Sequence, residues 1–381
     1  MFSATFDFSS DLIMSRMMAD LRVTRNASAI LAMQPALTEL GRRVGQAGAV
    51  DDLRYFLSWL ELRGKKPCLV TLGRDSSFAE DGSFNHLEAA VLLYEHCVSG
   101  FGLGIYASCD GIGRRALVPP AIDSSRFALE VCGVLLDQGA RGILLSFRHE
   151  EAFFDPSQMP ILCGGMKIRW ASRERTTPSY LLLRRTVNET LEQMGARTRK
   201  HLRYYRRRAE SQLGCEFVAE ATIERGEFLE LNRNSSYPCD SETAAWQYDA
   251  IHMASDPVFC GLRDRDGRWL SVACGLRSNR NMEVFWQTNR NDMKPYSLAT
   301  VMRAFLIEHE IKKGTRRLFF QGGTSHSMSH SFVEERCTDL MVMRDSFIGR
   351  AIPSLFERYI PRENPINEFL VEPGLAWNML R

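Results

Sequence analysis

Cationic and hydroxyl side chains gather in residues 282–313, where the pattern predicts a strand, a loop and a capped helix in succession. The loop carries Arg290 and Lys294, and Ser297 is the predicted N-cap of the helix 298–313. A helix N-terminus presents unpaired amide groups and about half a positive charge from its dipole, so it attracts phosphates. The segment is therefore a candidate site for the phosphates of a nucleotide or coenzyme. The alternative is a plain crossover between two parallel strands.

A second polar segment, residues 321–330, comes directly after the predicted strand 317–321. Its glycines and serines let a ligand approach the backbone closely, and His326 and His330 can transfer protons near neutral pH. Loops that follow strand C-termini are common positions for sites in α/β folds. The alternative is an exposed polar turn. Because neither an HExxH pattern nor a third ligand accompanies the histidines, no metal site is expected.

Seven cations fall within twelve residues of one predicted helix. They are Arg197, Arg199, Lys200, Arg203, Arg206, Arg207 and Arg208. The helix 188–213 follows a capping box over 186–189 and carries one apolar stripe at steps of three and four residues. Its cationic face could neutralise nucleic-acid phosphates, hold an acidic substrate or cofactor, or simply face solvent. The apolar stripe commits the other face to a core and argues against nucleic acid.

The composition is that of a globular chain long enough for two or three domains. It has 381 residues, of which 45% are hydrophobic and 25% charged. With 48 basic and 46 acidic residues, the net charge of +2 favours neither nucleic acid nor a membrane surface as a partner.

The cysteines and the N-terminus bear on the compartment. Ten cysteines form no CxxC pair, which favours buried thiols in a reducing compartment over a disulfide framework. The first 24 residues interrupt their apolar positions with acids and arginines, unlike a signal peptide. No window approaches the roughly 18 consecutive apolar residues of a membrane span. We therefore expect a cytoplasmic protein without a membrane span.

One succession of elements occurs twice along the chain. Two helices are expected over 31–62, followed by strands at 68–72, 89–94 and 103–108, a helix at 126–138 capped by Asp123, and a strand at 142–147. In the second half a strand at 282–288, the helix 298–313 and a strand at 317–321 repeat the strand–helix–strand order. When the two copies are aligned at an offset of 175 residues, a glycine and an arginine fall at matching positions. The sequence therefore predicts an internal duplication.

This order of elements resembles the GNAT acyltransferase superfamily, in its duplicated branch of FemAB- and CelD-like proteins. The stretches that carry the resemblance are 191–214, a basic helix before the second catalytic fold, and 261–323. In the latter, a strand pair with a turn at 264–267 precedes the loop, the capped helix ending in glycine, and a strand followed by a glycine-containing loop. Residues 87–147 resemble a degenerate first copy.

The resemblance implies an α/β fold with mixed sheets, built as two tandem GNAT-like domains that each have a central sheet flanked by helices. The expected ranges are 1–24 for a lead-in, 25–180 and 181–350 for the two domains, and 351–381 for a C-terminal extension. In this fold one strand pair, here 282–288 and 317–321, diverges to admit a thioester or aminoacyl donor.

The resemblance also implies an activity, the transfer of an acyl or aminoacyl group from a donor such as acyl-CoA to an amine of a small molecule or cell-envelope precursor. From their positions in the predicted elements, we assign six residues to the donor: Gln287, Asn289, Arg290, Lys294, Ser297 and Thr300. Arg203, Arg207 and Gln321 are assigned to the acceptor, and Tyr296 and His326 to proton transfer. The loop 289–296 lacks the Q/R-x-x-G-x-G/A pyrophosphate cradle, and 321–330 lacks the Asp-x-Gly-x-Gly pattern found in this branch.

Other function classes fit the same residues. The chain could be a binding module that keeps the fold without catalysis. It could also bind nucleic acid through the helix that carries the seven cations.

Overall fold

A computed structural model describes residues 21–44, 53–73, 87–98, 100–108, 116–148, 167–254, 256–278, 280–320, 327–345, 369 and 378–380. The chain divides into two compact units. The first comprises Met1–Leu53, Leu60–Thr176 and Arg336–Arg381, and the second comprises Arg54–Trp59 and Thr177–Glu335.

Strands and helices alternate along the described residues. In chain order the strands are β1 (Leu21–Thr24), β2 (Lys66–Leu72), β3 (Ala89–Val98), β4 (Phe101–Ser108), β5 (Gly142–Arg148), β6 (Ile168–Leu182), β7 (Glu216–Val218), β8 (Pro257–Arg263), β9 (Trp269–Ser278), β10 (Asn281–Asn289), β11 (Arg317–Phe320), β12 (Val333–Arg344) and β13 (Asn378–Leu380). The helices are α1 (Ala27–Ala32), α2 (Gln34–Arg43), α3 (Leu53–Leu62), α4 (Ser124–Asp137), α5 (Val187–Glu192), α6 (Ala196–Leu213), α7 (Arg225–Arg233), α8 (Ser241–His252) and α9 (Leu298–Lys313). Short 3-10 turns span Asn291–Tyr296 and Ser327–Ser331.

The first unit is a mixed sheet with α4 on one face. Its strands are ordered β1-β2-β3-β4-β5-β12, and only β4 and β5 of these described neighbours run parallel. α4 begins at Asp123, whose carboxylate accepts a hydrogen bond from the amide of Arg126 at 3.1 Å, as the sequence predicts. Phe127, Val131 and Leu135 of α4 are fully buried in the core of this unit.

The second unit is built in the same way around α9. Its strands are ordered β11-β10-β9-β8-β7, with the end of β6 beside β11, and β10 and β11 are its parallel neighbours. α9 crosses between these two parallel strands, and the buried Val301 and Leu306 pack in one core with Met282 and Val284 of β10. Each such side chain contributes roughly 1.5–3 kcal/mol of burial free energy.

The strand–helix–strand element predicted twice in the sequence is present in both units. β4, α4 and β5 form one copy, and β10, α9 and β11 form the other, each with parallel strands. The helices are followed by Gly139 and Gly314, with φ of +94° and +83°, which glycine adopts at little cost. The predicted mixed α/β fold of duplicated units is confirmed.

Two local predictions differ from the structure. The single helix expected over 188–213 is two helices, because α5 ends at Glu192 and the extended Gly195 precedes α6. The Gln193 side chain between them donates to the carbonyl of Leu182 at 2.9 Å and so turns the chain toward β6. The last four residues of the expected lead-in form β1, which pairs with β2.

The C-terminal half of α9 is fixed to β9 through Glu310. This side chain is fully buried, and its carboxylate accepts hydrogen bonds from Arg277 Nη2 at 2.6 Å and from the Thr315 hydroxyl. The hydrogen bond to Glu310 raises the pKa of the Arg277 guanidinium. The ion pair therefore fixes the helix that positions the site described below.

Arg277→Met should lower the free energy of unfolding by roughly 3–5 kcal/mol, because it leaves Glu310 as a buried charge without its partner. Urea denaturation measures the loss, and the double variant Arg277→Met/Glu310→Leu should recover most of it. Arg225→Met, which removes an ion pair with Asp249 whose two side chains are both about half exposed, should leave the midpoint nearly unchanged. An unchanged midpoint in Arg277→Met would contradict the anchoring role.

Candidate functional site

β10 and β11 pair over only part of β10. The paired residues are Asn281 with Arg317, Met282 with Leu318, Glu283 with Phe319 and Val284 with Phe320. On its other edge, β10 pairs with β9 as far as Asn289, and this register shifts between Val284 and Trp286. Among the described residues, no strand pairs with 286–288 on the β11 side. Since a bulge bends its strand and increases its twist, β10 changes course where its pairing with β11 ends.

Gly275 of β9 makes this bulge possible. It pairs with Val284, and a β-carbon at position 275 would lie 1.7 Å from the carbonyl oxygen of Glu283. No side chain fits in that space, so the two backbones approach each other as only a glycine permits.

The 3-10 turn Asn291–Tyr296 brings the chain from β10 to the first turn of α9. Ser297, between them, has φ +51° and ψ +55°, a left-handed conformation that reverses the chain. Its carbonyl accepts hydrogen bonds from the amides of Thr300 and Val301 at 2.8 and 3.1 Å. The amides of Leu298 and Ala299 have no acceptor within the described part of the chain. Two donors are thus available to an anion at this helix end.

The polar side chains at the end of β10 form a small network with β9. The Asn289 side-chain oxygen accepts hydrogen bonds from the Ser271 hydroxyl at 2.7 Å and from Gln287 Nε2 at 2.9 Å. Trp286 instead packs edge-on against Phe228 of α7, with ring centroids 5.6 Å apart. Gln287 and Asn289 therefore share one face of β10, held in a fixed position.

The two predicted cations of the turn have different environments. Arg290 forms a two-bond ion pair with Asp292, at 3.0 Å from Nε and 2.8 Å from Nη2. This contact lowers the pKa of Asp292 and raises that of Arg290. Lys294 is exposed, and its ammonium group has no partner among the described residues. Lys294 is therefore the cation that is free to meet a phosphate.

The hydroxyls and the ring at the start of α9 contact their neighbours. Ser297 does not cap the helix with its side chain, contrary to the sequence prediction, because its hydroxyl hydrogen-bonds that of Thr300 at 2.9 Å. The Tyr296 ring lies 5.0 Å from the guanidinium carbon of Arg208, which also donates to the carbonyl of Pro295 at 3.1 Å. α6 thus contributes a cation to the turn.

Part of the cationic face of α6 carries no internal partner. Arg206 pairs with Glu210 and Glu308, and Arg199 donates to the carbonyl of Met194. The exposed side chains that lack a partner in the described part of the chain are Arg197, Lys200, Arg203 and Arg207. Lys200, Arg203 and Arg207 line an open groove of about 950 Å³ together with Tyr204.

Gln321 and His326 lie outside the described residues, so their place in the site stays a prediction. Sequence reasoning missed Ser271, whose contact with Asn289 depends on the register between β9 and β10. It also missed the approach of Arg208 to the turn, which follows from the packing of α6 on this segment. Across the described ranges, no group of three or more His, Cys, Asp or Glu side chains is arranged to hold a metal ion.

Comparisons with known proteins show that the structure of this chain is similar to solved structures. No protein-family model matches the chain, and no curated protein matches it. FemX superimposes with a TM-score of 0.51 at 11% identity, over 74% of this chain and 90% of FemX. A tandem GNAT protein from the clavulanic acid biosynthesis pathway superimposes with a TM-score of 0.45 at 11% identity, over 84% of this chain and 98% of that protein. L-PGS from Bacillus licheniformis superimposes with a TM-score of 0.45 at 10% identity, over 82% of this chain and 94% of L-PGS.

Of these three, the FemX superposition exceeds a TM-score of 0.5, and its low identity limits what it shows to the fold. Among the described helices, none combines the length and the apolar character that a membrane span requires. The two strand–helix–strand copies, the bulged β10 and the FemX likeness agree with the resemblance read from the sequence. The chain therefore has a fold like that of FemX.

Proposed function

We propose that the protein is an acyltransferase that moves an acyl or aminoacyl group from a thioester donor such as acyl-CoA to an amine. The observation that carries this proposal is the early end of the β10–β11 pairing at Val284 and Phe320. Beyond that point no described strand pairs with this edge of β10, and the first turn of α9 has two amides without an acceptor among the described residues. A pantetheine-like chain with a phosphate-bearing end fits this combination.

The proposed reaction forms a C–N bond and breaks a C–S bond. The amine of the acceptor attacks the thioester carbonyl, and backbone N–H groups of 286–288 that point away from β9 stabilise the oxyanion. The thiolate then leaves and takes up a proton, while a side chain or water removes the proton of the attacking amine. Tyr296 and His326 are our candidates for this proton transfer.

The donor phosphates would meet the start of α9. Lys294 and the amides of Leu298 and Ala299 supply positive potential there, and the Ser297 and Thr300 hydroxyls lie in the same turn. The Asp292 carboxylate occupies two of the five N–H donors of Arg290 and offsets its charge, which weakens the pull of Arg290 on a phosphate. Gln287 and Asn289 would line the ligand channel along β10.

The acceptor would be a small molecule or cell-envelope precursor with an acidic group. Arg203 and Arg207 are exposed in the α6 groove and have no partner within the described ranges, which supports a role in holding an anionic acceptor. Gln321 remains in this assignment as a prediction from the sequence.

Acyl-CoA thioesters should raise the melting temperature of the protein in a thermal-shift panel. A ligand that binds only the folded state adds about 2.7 kcal/mol at 100 times its Kd. Lys294→Ala should weaken binding of the best ligand, measured by calorimetry, because it removes the free cation of the turn. The matched control is Lys313→Ala, at the opposite end of the same helix, about 24 Å away. Equal affinities for the two variants would refute the role of Lys294.

Asp292→Asn should strengthen acyl-CoA binding several-fold, because it removes a negative charge from the turn and releases the Arg290 guanidinium. Calorimetry against the same thioester measures this change. The double variant Asp292→Asn/Arg290→Ala should lose most of the gain. Weaker binding by Asp292→Asn would mean that the ion pair itself shapes the donor site.

A second candidate function is nucleic-acid binding by α6. It is favoured by four exposed cations that have no partner in the described ranges and lie beside the exposed Tyr204: Arg197, Lys200, Arg203 and Arg207. Phosphate neutralisation would make such binding strongly salt-dependent.

If α6 binds nucleic acid, Arg203→Ser/Arg207→Ser should abolish salt-dependent retention on RNA and heparin. Arg206→Ser is the control, since Arg206 is already paired with Glu210 and Glu308. Wild-type protein that elutes from RNA at low salt would exclude this function.

A further inference from the structure

Arg303 is a partly buried cation for which the described residues provide no hydrogen-bonding partner. It lies in α9, its side chain is only partly accessible, and its Nε atom is buried and makes no hydrogen bond. The guanidinium carbon lies 5.2 Å from the centroid of the Phe320 ring, which stacks in turn on Phe332. None of the described acidic side chains pairs with it.

Two other partly buried arginines that contact α9 have acidic partners. Arg277 pairs with Glu310, and Arg206 pairs with Glu308. A guanidinium has five N–H donors, and a ring face can attract its charge but accepts no full set of hydrogen bonds. Burial lowers the pKa of Arg303 to about 10, so the side chain is still charged at neutral pH. Within the described residues, Arg303 is thus a charge without a compensating partner, which is costly to keep.

The position of Arg303 connects this charge with the end of the strand pair. Phe320, the ring under the guanidinium, is the last residue of β11 and pairs with Val284. Val284 is also where the register of β10 shifts against β9. Arg303 follows Ser297 by six residues, about 9 Å along the helix axis. Arg303 therefore lies near the point where β10 and β11 stop pairing, on the helix whose first turn has the unpaired amides.

We infer that Arg303 binds an oxyanion, a phosphate or a carboxylate, of the ligand that enters between β10 and β11. The planar fork of a guanidinium matches either group with two parallel hydrogen bonds, and the low-dielectric surroundings strengthen them. The inference rests on the proposed acyl transfer for the identity of the ligand. A phosphate would come from the donor, and a carboxylate from the acceptor.

The test compares Arg303→Met and Arg303→Lys with the control Arg263→Met. Arg263 also stacks on a ring, 3.9 Å from the Trp269 centroid, and its buried Nε likewise makes no hydrogen bond. The probes are acetyl-CoA, pantetheine without phosphate, inorganic phosphate and acetate, each measured by thermal shift, with calorimetry for acetyl-CoA.

The ligand-free Arg303→Met protein should melt at or above the wild-type temperature, because an unpaired charge is removed. Its affinity for the oxyanion probe should fall about 10- to 100-fold, and Arg303→Lys should recover part of it. Loss of the phosphate response identifies a donor phosphate, and loss of the acetate response identifies an acceptor carboxylate. Arg263→Met should respond to the probes as wild type does.

Two results would overturn the inference. One is a lower melting temperature of ligand-free Arg303→Met with unchanged probe responses, which would make the stacking on Phe320 purely structural. The other is an equal response of wild type and Arg303→Met to every probe, including no response in either. If acetyl-CoA fails to bind wild type while phosphate still protects it through Arg303, the proposed donor is wrong and the anion site stands.

Discussion

The second unit depends on the parallel pairing of β10 with β11 and on where that pairing ends. Four residue pairs hold the strands together, and the core of α9 packs over Met282 and Val284 in this paired region. The bulge then turns the rest of β10, so the same strand packs in the core at one end and has no described strand partner on its β11 side at the other. The helix between the strands must start beside that edge, because a parallel crossover returns the chain over the sheet.

Electrostatics divides α9 into two functional halves. At its C-terminal end, Glu310 is fully satisfied by Arg277 and Thr315 and fixes the helix. Toward its N-terminal end, the amides of Leu298 and Ala299 and the Arg303 guanidinium lack acceptors in the described part of the chain. All of these unsatisfied donors favour negative charge. A ligand with more than one anionic group could therefore bind along the first two turns.

Local signals in the sequence determine much of this architecture. The bounds of α9 follow from the chain reversal at Ser297 and from Gly314, and α4 follows from its Asp123 cap. The sequence did not predict the break between α5 and α6 at Gly195, because the apolar spacing continues through it. The turn becomes visible only in the structure, through the hydrogen bond of Gln193 to Leu182. Sequence reasoning assigned Arg290 to phosphate binding without its ion pair to Asp292. Arg303 has no partner among the described residues because of how the chain packs in three dimensions. The spacing of residue types along the sequence does not reveal this.

Gly275 determines how closely β9 and β10 approach at the bulge, although it lies outside the candidate site. Its strand, β9, is on the side of β10 away from β11, yet the missing side chain allows β10 to press inward there and bend. The course of β10 is thus set by the close approach of its backbone to a residue that has no side chain. Any side chain at this position would displace the β10 backbone, so position 275 can change the candidate site without contacting a ligand.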